Sequence, residues 1–327
     1  MLTLRVPAST SNLGAGFDFI GVAVDKWLSV AVRRAAPGER APAIRRLGTI
    51  EAIGVTAERD LITVGFAAAC RAAGREAPSE LVLDVRSEIP VSRGLGSSAA
   101  AVVAGAVAAN VLLQLALDDA AIVDLCSAIE GHPDNVAPAV LGGARLAVRA
   151  GGGRFTVAPL DVHESLALVF AVPEFAVETK RARAALPETV THDTAVVAAS
   201  RSAALVRGLA SAHSALLAAG MNDVLHVPYR RALIAGYDAV TAAAIRAGAF
   251  GATLSGSGST IVAVSPRDAA HRVAGAMAAA WRAIGVAAET FHSAGPVRGY
   301  EIIDGGGSSP STESAEPARD PLSFPRS

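Results

Sequence analysis

The segment IPVSRGLGSSAAAVVAG, Ile89 to Gly105, decides how the rest of the chain is read. Two glycines and two serines precede a run of alanine and valine. A glycine turn that feeds straight into a helix start aims unpaired backbone N–H groups, and the positive end of the helix dipole, at one point. A phosphate suits that point, and so does a serine-capped turn with no ligand. Gly94, Gly96 and Ala99 fit GxGxxA, but a dinucleotide fold needs a strand after the helix with an acidic residue near its end. Here a second helical stretch follows. A Walker A loop needs lysine after the last glycine, and Ser97 stands there. A third kind of phosphate loop remains. In it the Gly94 and Gly96 backbone turns N–H groups inward, Ser97 and Ser98 add hydroxyls, and a hydroxyl at the helix start can ligate a phosphate-bound Mg²⁺.

Outward from this segment, Ser98 to Leu117 is nearly all apolar, close to the roughly 20 residues a membrane span needs. Alanine supplies much of it, Asn110 and Gln114 interrupt it, and Asp118 and Asp119 close it without a Lys/Arg flank. A helix buried inside a protein core is therefore expected, with no membrane partner. The 327 residues suffice for two domains, and an apolar content of 51% supplies a sizeable core. A net charge of −1 argues against nucleic acid as a partner. The basic residues between Arg33 and Arg46 alternate with proline and glycine and read as a solvated loop. Cys70 and Cys126 have no CxxC spacing. They read as buried free thiols, and the N-terminus has no signal-peptide pattern, so a cytoplasmic location is expected.

LTLRVPAS reads as a strand ending at Pro7, and VAVDKWLSVAVRR as one or two more. DLITVGFAAACRAAG reads as a helix with Asp60 as N-cap and Gly74 past its end, and LVLDVRSEI alternates like a half-buried strand. Another helix (LDDAAIVDLCSAIEG) and strand (GGARLAVRA) complete the first half. Strands at SLALVFAVPEF, TIVAVSPRD and ETFHSA are interleaved with three helical stretches in the second half. Without strict βαβ alternation the class is α+β. The expected division is 1–155, 156–303 and a Gly/Ser/Pro-rich tail, 304–327, that reads as disordered.

Three segments together resemble the motifs of the GHMP kinases: VPASTSNLGAGFDFIGVAV, PVSRGLGSSAA and GATLSGSGSTIVAV. Within that family, EGHPDNVAPAVLGG, ETKRARAALP and VPYRRALIAGY resemble the homoserine kinase branch. The resemblance runs from about Leu4 to Ile303. It departs at Ala15, Val227, Ala235 and Ser259, where the family often has proline, glutamate, proline and proline. It implies a two-domain GHMP kinase fold, with an N-terminal domain like ribosomal protein S5 domain 2 and a ferredoxin-like C-terminal domain. It further implies ATP and Mg²⁺, L-homoserine as phosphoryl acceptor, and a homodimer.

The resemblance assigns ATP binding to Pro90, Val91, Ser92, Arg93, Gly94, Leu95, Gly96, Ser97, Ser98, Ala99 and Ala100, and a closing glycine loop to Ser255, Gly256, Ser257 and Gly258. Arg183 and Arg230 would hold the substrate carboxylate, which a planar guanidinium fork matches. Asn12, Asp18, His132 and Asn135 would line the remaining amino-acid pocket. Asp18 would take or orient the hydroxyl proton, and Thr179, one turn before Arg183, would bond near the transferred phosphoryl group. Glu130 and Ser98 would hold the Mg²⁺. Another small-molecule GHMP kinase, or a catalytically silent ligand sensor on the same fold, stays open on sequence alone.

Overall fold

β1 (Leu2–Asn12) and β2 (Gly16–Arg34) form the antiparallel pair on which the first sheet is built. The expected end at Pro7 does not occur. The strand runs on to Asn12, and the register with β2 shifts between Pro7 and Ala8. Proline cannot donate to a ladder, so an irregularity at that point lets pairing resume beyond it. β3 (Ala43–Gly48) runs parallel to β4 (Leu81–Ser87), which pairs with β2. The expected solvated loop from Arg33 to Arg46 is thus partly strand. An edge strand tolerates charged side chains on its open side, and Arg46 is drawn inward by Asp60 at 2.7 Å.

β5 (Ala144–Gly151) pairs with β2, and β6 (Arg154–Leu160) with β5. The sheet order is β11-β1-β2-β4-β3, with β5 and β6 branching from β2. β11 (Glu301–Gly305) is the last element of the chain to be described, yet it lies beside β1. Pairing therefore carries the first sheet across the expected boundary at 155/156 and brings the chain's end back to it. The computed structural model describes residues 1–293, 295 and 297–305. Asp304 and Gly305, read as tail, end a strand, and the rest of the expected disordered tail lies outside the described residues.

α1 (Leu61–Ala72), α2 (Ser97–Leu113), α3 (Asp119–Glu130) and α4 (Val136–Leu141) pack with this sheet in one core. Asp60 caps α1 as expected by accepting from the Ile62 N–H. α2 is buried all round, which accounts for its continuous apolar run. It meets α1 closely, because a Cβ on Gly105 would stand 1.9 Å from the Ile62 carbonyl oxygen. Among the described residues no helix is long and apolar enough to cross a membrane.

The second half adds α5 (Thr179–Ala184), α6 (His192–Ser211), α7 (Ser214–Met221), α8 (Val227–Arg230), α9 (Tyr237–Arg246) and α10 (Ala270–Arg282). β7 (Leu166–Pro173), β8 (Gly251–Leu254), β9 (Ile261–Pro266) and β10 (Ala288–Ser293) form an antiparallel sheet in the order β10-β7-β9-β8. This is the ferredoxin-like strand order. β7 is buried on both faces, so its apolar run shows no alternation. Leu166, Leu168, Phe170 and Val172 join the core of the first sheet, while Ala167, Val169 and Ala171 face α9 and α10. This strand locks the two halves together and fixes the cleft between them.

Candidate active site

A cavity of about 700 Å³ opens between the start of α2, the end of α3, the loop after β1 and the α5–α8 region. The glycine loop reaches it by left-handed turns at Ser92, Gly94 and Gly96. Gly94 is close-packed as well as turned, since a Cβ there would stand 2.0 Å from the Ser255 carbonyl oxygen. Ser255 Oγ donates to the Gly94 carbonyl at 2.6 Å, and the Thr260 N–H donates to the Arg93 carbonyl. The first and third glycine loops therefore brace one another.

Not every residue assigned to ATP presents its side chain there. Arg93 donates from Nε to the Pro173 carbonyl at 3.0 Å, from Nη1 to the Val91 carbonyl, and from Nη2 to the Glu174 carbonyl. Its fork is spent on clamping the loop to the end of β7. Leu95 is buried, and Ala99 and Ala100 are fully buried in the core and do not line the cavity. Pro90 to Ser98, Arg93 and Leu95 included, do line it. In the third loop Gly256 and Ser257 face the cavity. Ser255 and Gly258 hold the loop instead, and Ser259, in place of the family's proline, donates to the Phe175 carbonyl at 2.5 Å.

The residues assigned to the amino-acid pocket all reach one wall: Asn12, Asp18, His132, Asn135, Thr179, Arg183 and Arg230. Their hydrogen bonds divide them. Asn12 is spoken for at both ends, donating to the Gly256 carbonyl and accepting from the Asp18 N–H. Asn135 accepts from Ser9 Oγ and donates to Ser11 Oγ and to Asp134. Thr179 Oγ1 meets Ser257 Oγ at 3.2 Å, tying α5 to the third loop. Arg183 holds Asp18 in a two-pronged bridge, Nη1 to Oδ2 at 3.0 Å and Nη2 to Oδ1 at 2.9 Å. His132 Nδ1 lies 2.5 Å from Asp134 Oδ1. Burial opposes charge on His132, but Asp134 outweighs it and holds the imidazole above its ordinary range. Burial likewise opposes charge on Asp134, and the hydrogen bond and charge of His132 bring it below the usual range.

Arg230 differs from these. It is 2% exposed, and among the described residues no carboxylate lies within ion-pair distance of it. Its Nε donates to the Ala182 carbonyl at 3.2 Å, and its guanidinium carbon lies 5.0 Å from the Phe17 ring centre. Burial, with the charge of Arg183 added, pushes it down to about 10. A buried cation lacking an anion, on a cavity wall, suits a carboxylate ligand.

Ser98 Oγ donates to Glu130 Oε2 at 2.8 Å, joining the start of α2 to the end of α3 on the cavity wall. Burial pushes Glu130 above the usual carboxylate range, with the Ser98 bond opposing. This hydroxyl–carboxylate pair fits Mg²⁺, which takes one or two carboxylates and draws its other ligands from phosphate and water. Among the described residues no group of three or more His, Cys, Asp or Glu forms a metal cage.

Several cavity residues escaped the sequence reading. Ile50, Ile53, Val55, Leu61 and Ile62 form an apolar lobe beyond the glycine loop, floored by the Arg46–Asp60 ion pair. Ile50 to Val55 lies in irregular chain with no periodicity to reveal it. Lys180 also lines the cavity. Its signal was compositional, because it is one of only two lysines in the chain. Behind Arg230 lie Phe17, Asp223 and His226, of which the last two are buried polar groups.

The fold and this site define the class. The GHMP kinases N terminal domain matches residues 61–143, and the GHMP kinases C terminal domain matches residues 202–283. A homoserine kinase of a Synechococcus species is 42% identical over 284 residues, covering 86% of this chain and 92% of that protein. The Gloeobacter violaceus homoserine kinase is 42% identical over 291 residues, covering 86% and 93%. The crystal structure of homoserine kinase from Cytophaga hutchinsonii superposes with a TM-score of 0.82 at 29% identity, covering 92% of this chain and 97% of that one. A mevalonate kinase from L. major, at 16% identity and a TM-score of 0.62, shares the fold. The chain belongs to the GHMP kinase family, in its homoserine kinase branch.

Proposed function

We propose that this protein transfers the γ-phosphoryl group of ATP to the hydroxyl of L-homoserine, giving O-phospho-L-homoserine for threonine synthesis. One observation within the cleft carries the acceptor assignment. Arg230 is a buried, unmatched cation on the same cavity as the α2 start and the Ser98–Glu130 pair. An amino-acid acceptor brings the carboxylate that Arg230 lacks.

The backbone of Gly94 to Ser98 and the start of α2 hold the triphosphate, and the apolar lobe around Ile53 takes the base. Ser98 and Glu130 would hold Mg²⁺, which when bound would supply neutralisation of phosphate charge. Arg230 takes the substrate carboxylate. Arg183 lies close enough to share it, but holds Asp18 with both prongs. Asp18 in that bridge has both oxygens accepting from the Arg183 guanidinium. Its role is to orient the acceptor hydroxyl, and positioning with charge stabilisation carries phosphoryl transfer. His132, held by Asp134, and Thr179 complete the wall.

A cytoplasmic setting is proposed with this function, supported by two buried free thiols, Cys70 and Cys126. A homodimer is proposed from the family resemblance, and sedimentation equilibrium would separate it from a monomer. The activity is tested by coupled ADP release with Mg·ATP, comparing homoserine with serine, threonine, mevalonate and galactose. Strong preference for homoserine is expected. Turnover with another of these alcohols alone would overturn the acceptor assignment while leaving the phosphate loops in place.

A further inference from the structure

Arg230 can serve a carboxylate only if its guanidinium is held in place, and among the described residues no acidic partner within ion-pair distance does so. The groups that do surround it were not anticipated from the sequence. His226, fully buried, lies one turn before Arg230, and its ring stacks on Phe17 at 4.8 Å between centres with 19° between planes. Phe17 in turn lies under the guanidinium. His226 Nδ1 stands 3.4 Å from Arg230 Nη1, and Nε2 stands 3.1 Å from the Gly14 carbonyl oxygen.

These two neighbours fix the tautomer. A carbonyl oxygen only accepts, so Nε2 carries the proton. A guanidinium only donates, so Nδ1 presents its lone pair to Arg230. Asp223 Oδ2 lies 3.8 Å from the same Nε2, which reinforces the choice. That oxygen also accepts from the His226 and Val227 N–H groups at 2.6 and 2.8 Å, capping the turn that carries both His226 and Arg230. Burial pushes the imidazole below its ordinary range, against the charge of Asp223, so the ring stays neutral beside the cation.

We infer that His226 is a positioning residue for substrate recognition: its Nδ1 lone pair orients the Arg230 guanidinium toward the acceptor carboxylate, while Nε2–H ties α8 to the Gly14 loop that leads into Phe17 and Asp18 at the start of β2. The inference rests on the carboxylate role proposed for Arg230. It makes His226 a determinant of homoserine affinity without contact to the substrate.

The two nitrogens can be tested separately. In His226→Asn the amide oxygen takes the place of Nδ1, keeping the acceptor for Arg230 and losing the tie to Gly14. In His226→Gln the amide nitrogen takes the place of Nε2, keeping the tie and losing the acceptor. Steady-state kinetics on both, with Arg230→Ala as reference, are expected to show His226→Gln raising the homoserine KM by about tenfold, the size of one charge-assisted hydrogen bond. His226→Asn should stay nearer the parent, and the ATP KM should not move in any of the three. A purely structural role would instead make the two variants equally impaired, or raise both KM values together, and either result overturns the inference. If Arg230→Ala raises the homoserine KM and His226→Gln does not, the positioning role alone fails. If Arg230→Ala leaves it unchanged, the carboxylate assignment fails and takes the positioning role with it.

Discussion

Burial sets both Arg230 and Glu130 against their own charge, in opposite senses. Arg230→Ala removes a fully buried cleft cation that, among the described residues, has no carboxylate within ion-pair distance. It should raise the homoserine KM about a hundredfold, as loss of a buried charge-assisted contact does, with the ATP KM unchanged in the same assay. Glu130→Gln should raise the Mg²⁺ concentration needed for half-maximal rate, measured by Mg²⁺ titration at saturating ATP. The His132–Asp134 pair makes a pH prediction. Asp134 sits below its ordinary 3.8, so its stabilisation is present above pH 3.8 and lost as pH falls through its lower folded value. His132 sits above its ordinary 6.5, so its stabilisation is complete below pH 6.5 and lost as pH rises through its higher folded value. The melting-temperature gap between the parent and His132→Ala should therefore be widest between pH 3.8 and 6.5 and should narrow on the alkaline side. The residue types at these positions were legible, because each sits in a motif of specific spacing. Which of them are free was not. Arg93 and Arg183 look like Arg230 in sequence, yet Arg93 is consumed by three carbonyls and Arg183 by Asp18.

The elements most readily foreseen were those with local signals. α1 announces itself by the Asp60 cap and Gly74, and α2 by its glycine-serine start and unbroken apolar run. β3 carries no such signal: none of its residues is fully buried, and its parallel partner β4 lies far along the chain, Ala43 pairing with Val82. α8, which presents Arg230, is a single turn too short to show periodicity. The contact between α1 and α2 makes its own prediction. Gly105→Ala would push a methyl group against the Ile62 carbonyl and the Phe66 N–H. It should destabilise by about 1–3 kcal/mol, the usual cost of overpacking, seen as a lower urea midpoint. Because α2 carries the phosphate loop at its start, ATP binding should weaken alongside.

At the scale of the whole molecule, the chain's last described strand closes its first sheet. β11 covers the outer edge of β1, and Glu301 bridges Arg5 at 2.6 Å. A chain ending at Gly305 should melt with the full-length protein, whereas one ending at Tyr300 should melt roughly 5 °C lower or more, since an edge strand and its ladder are removed. Differential scanning fluorimetry on the two truncations checks this. β7 plays the complementary part in the middle, giving one face to each core and holding the phosphate loop and the Arg230 turn at a fixed separation.

The order of residues along the chain already contains the chemistry on offer: a glycine-serine helix start for phosphate, a hydroxyl and a carboxylate for a divalent ion, and arginines for a carboxylate. These are local properties of short segments and survive being read in isolation. Folding settles that Arg230 keeps its charge uncommitted, that Asp18 is held by Arg183, and that His226 stands behind Arg230. Those outcomes depend on burial and on partners separated widely along the chain, such as Arg183 from Asp18 by 165 positions, and no local pattern encodes such a meeting.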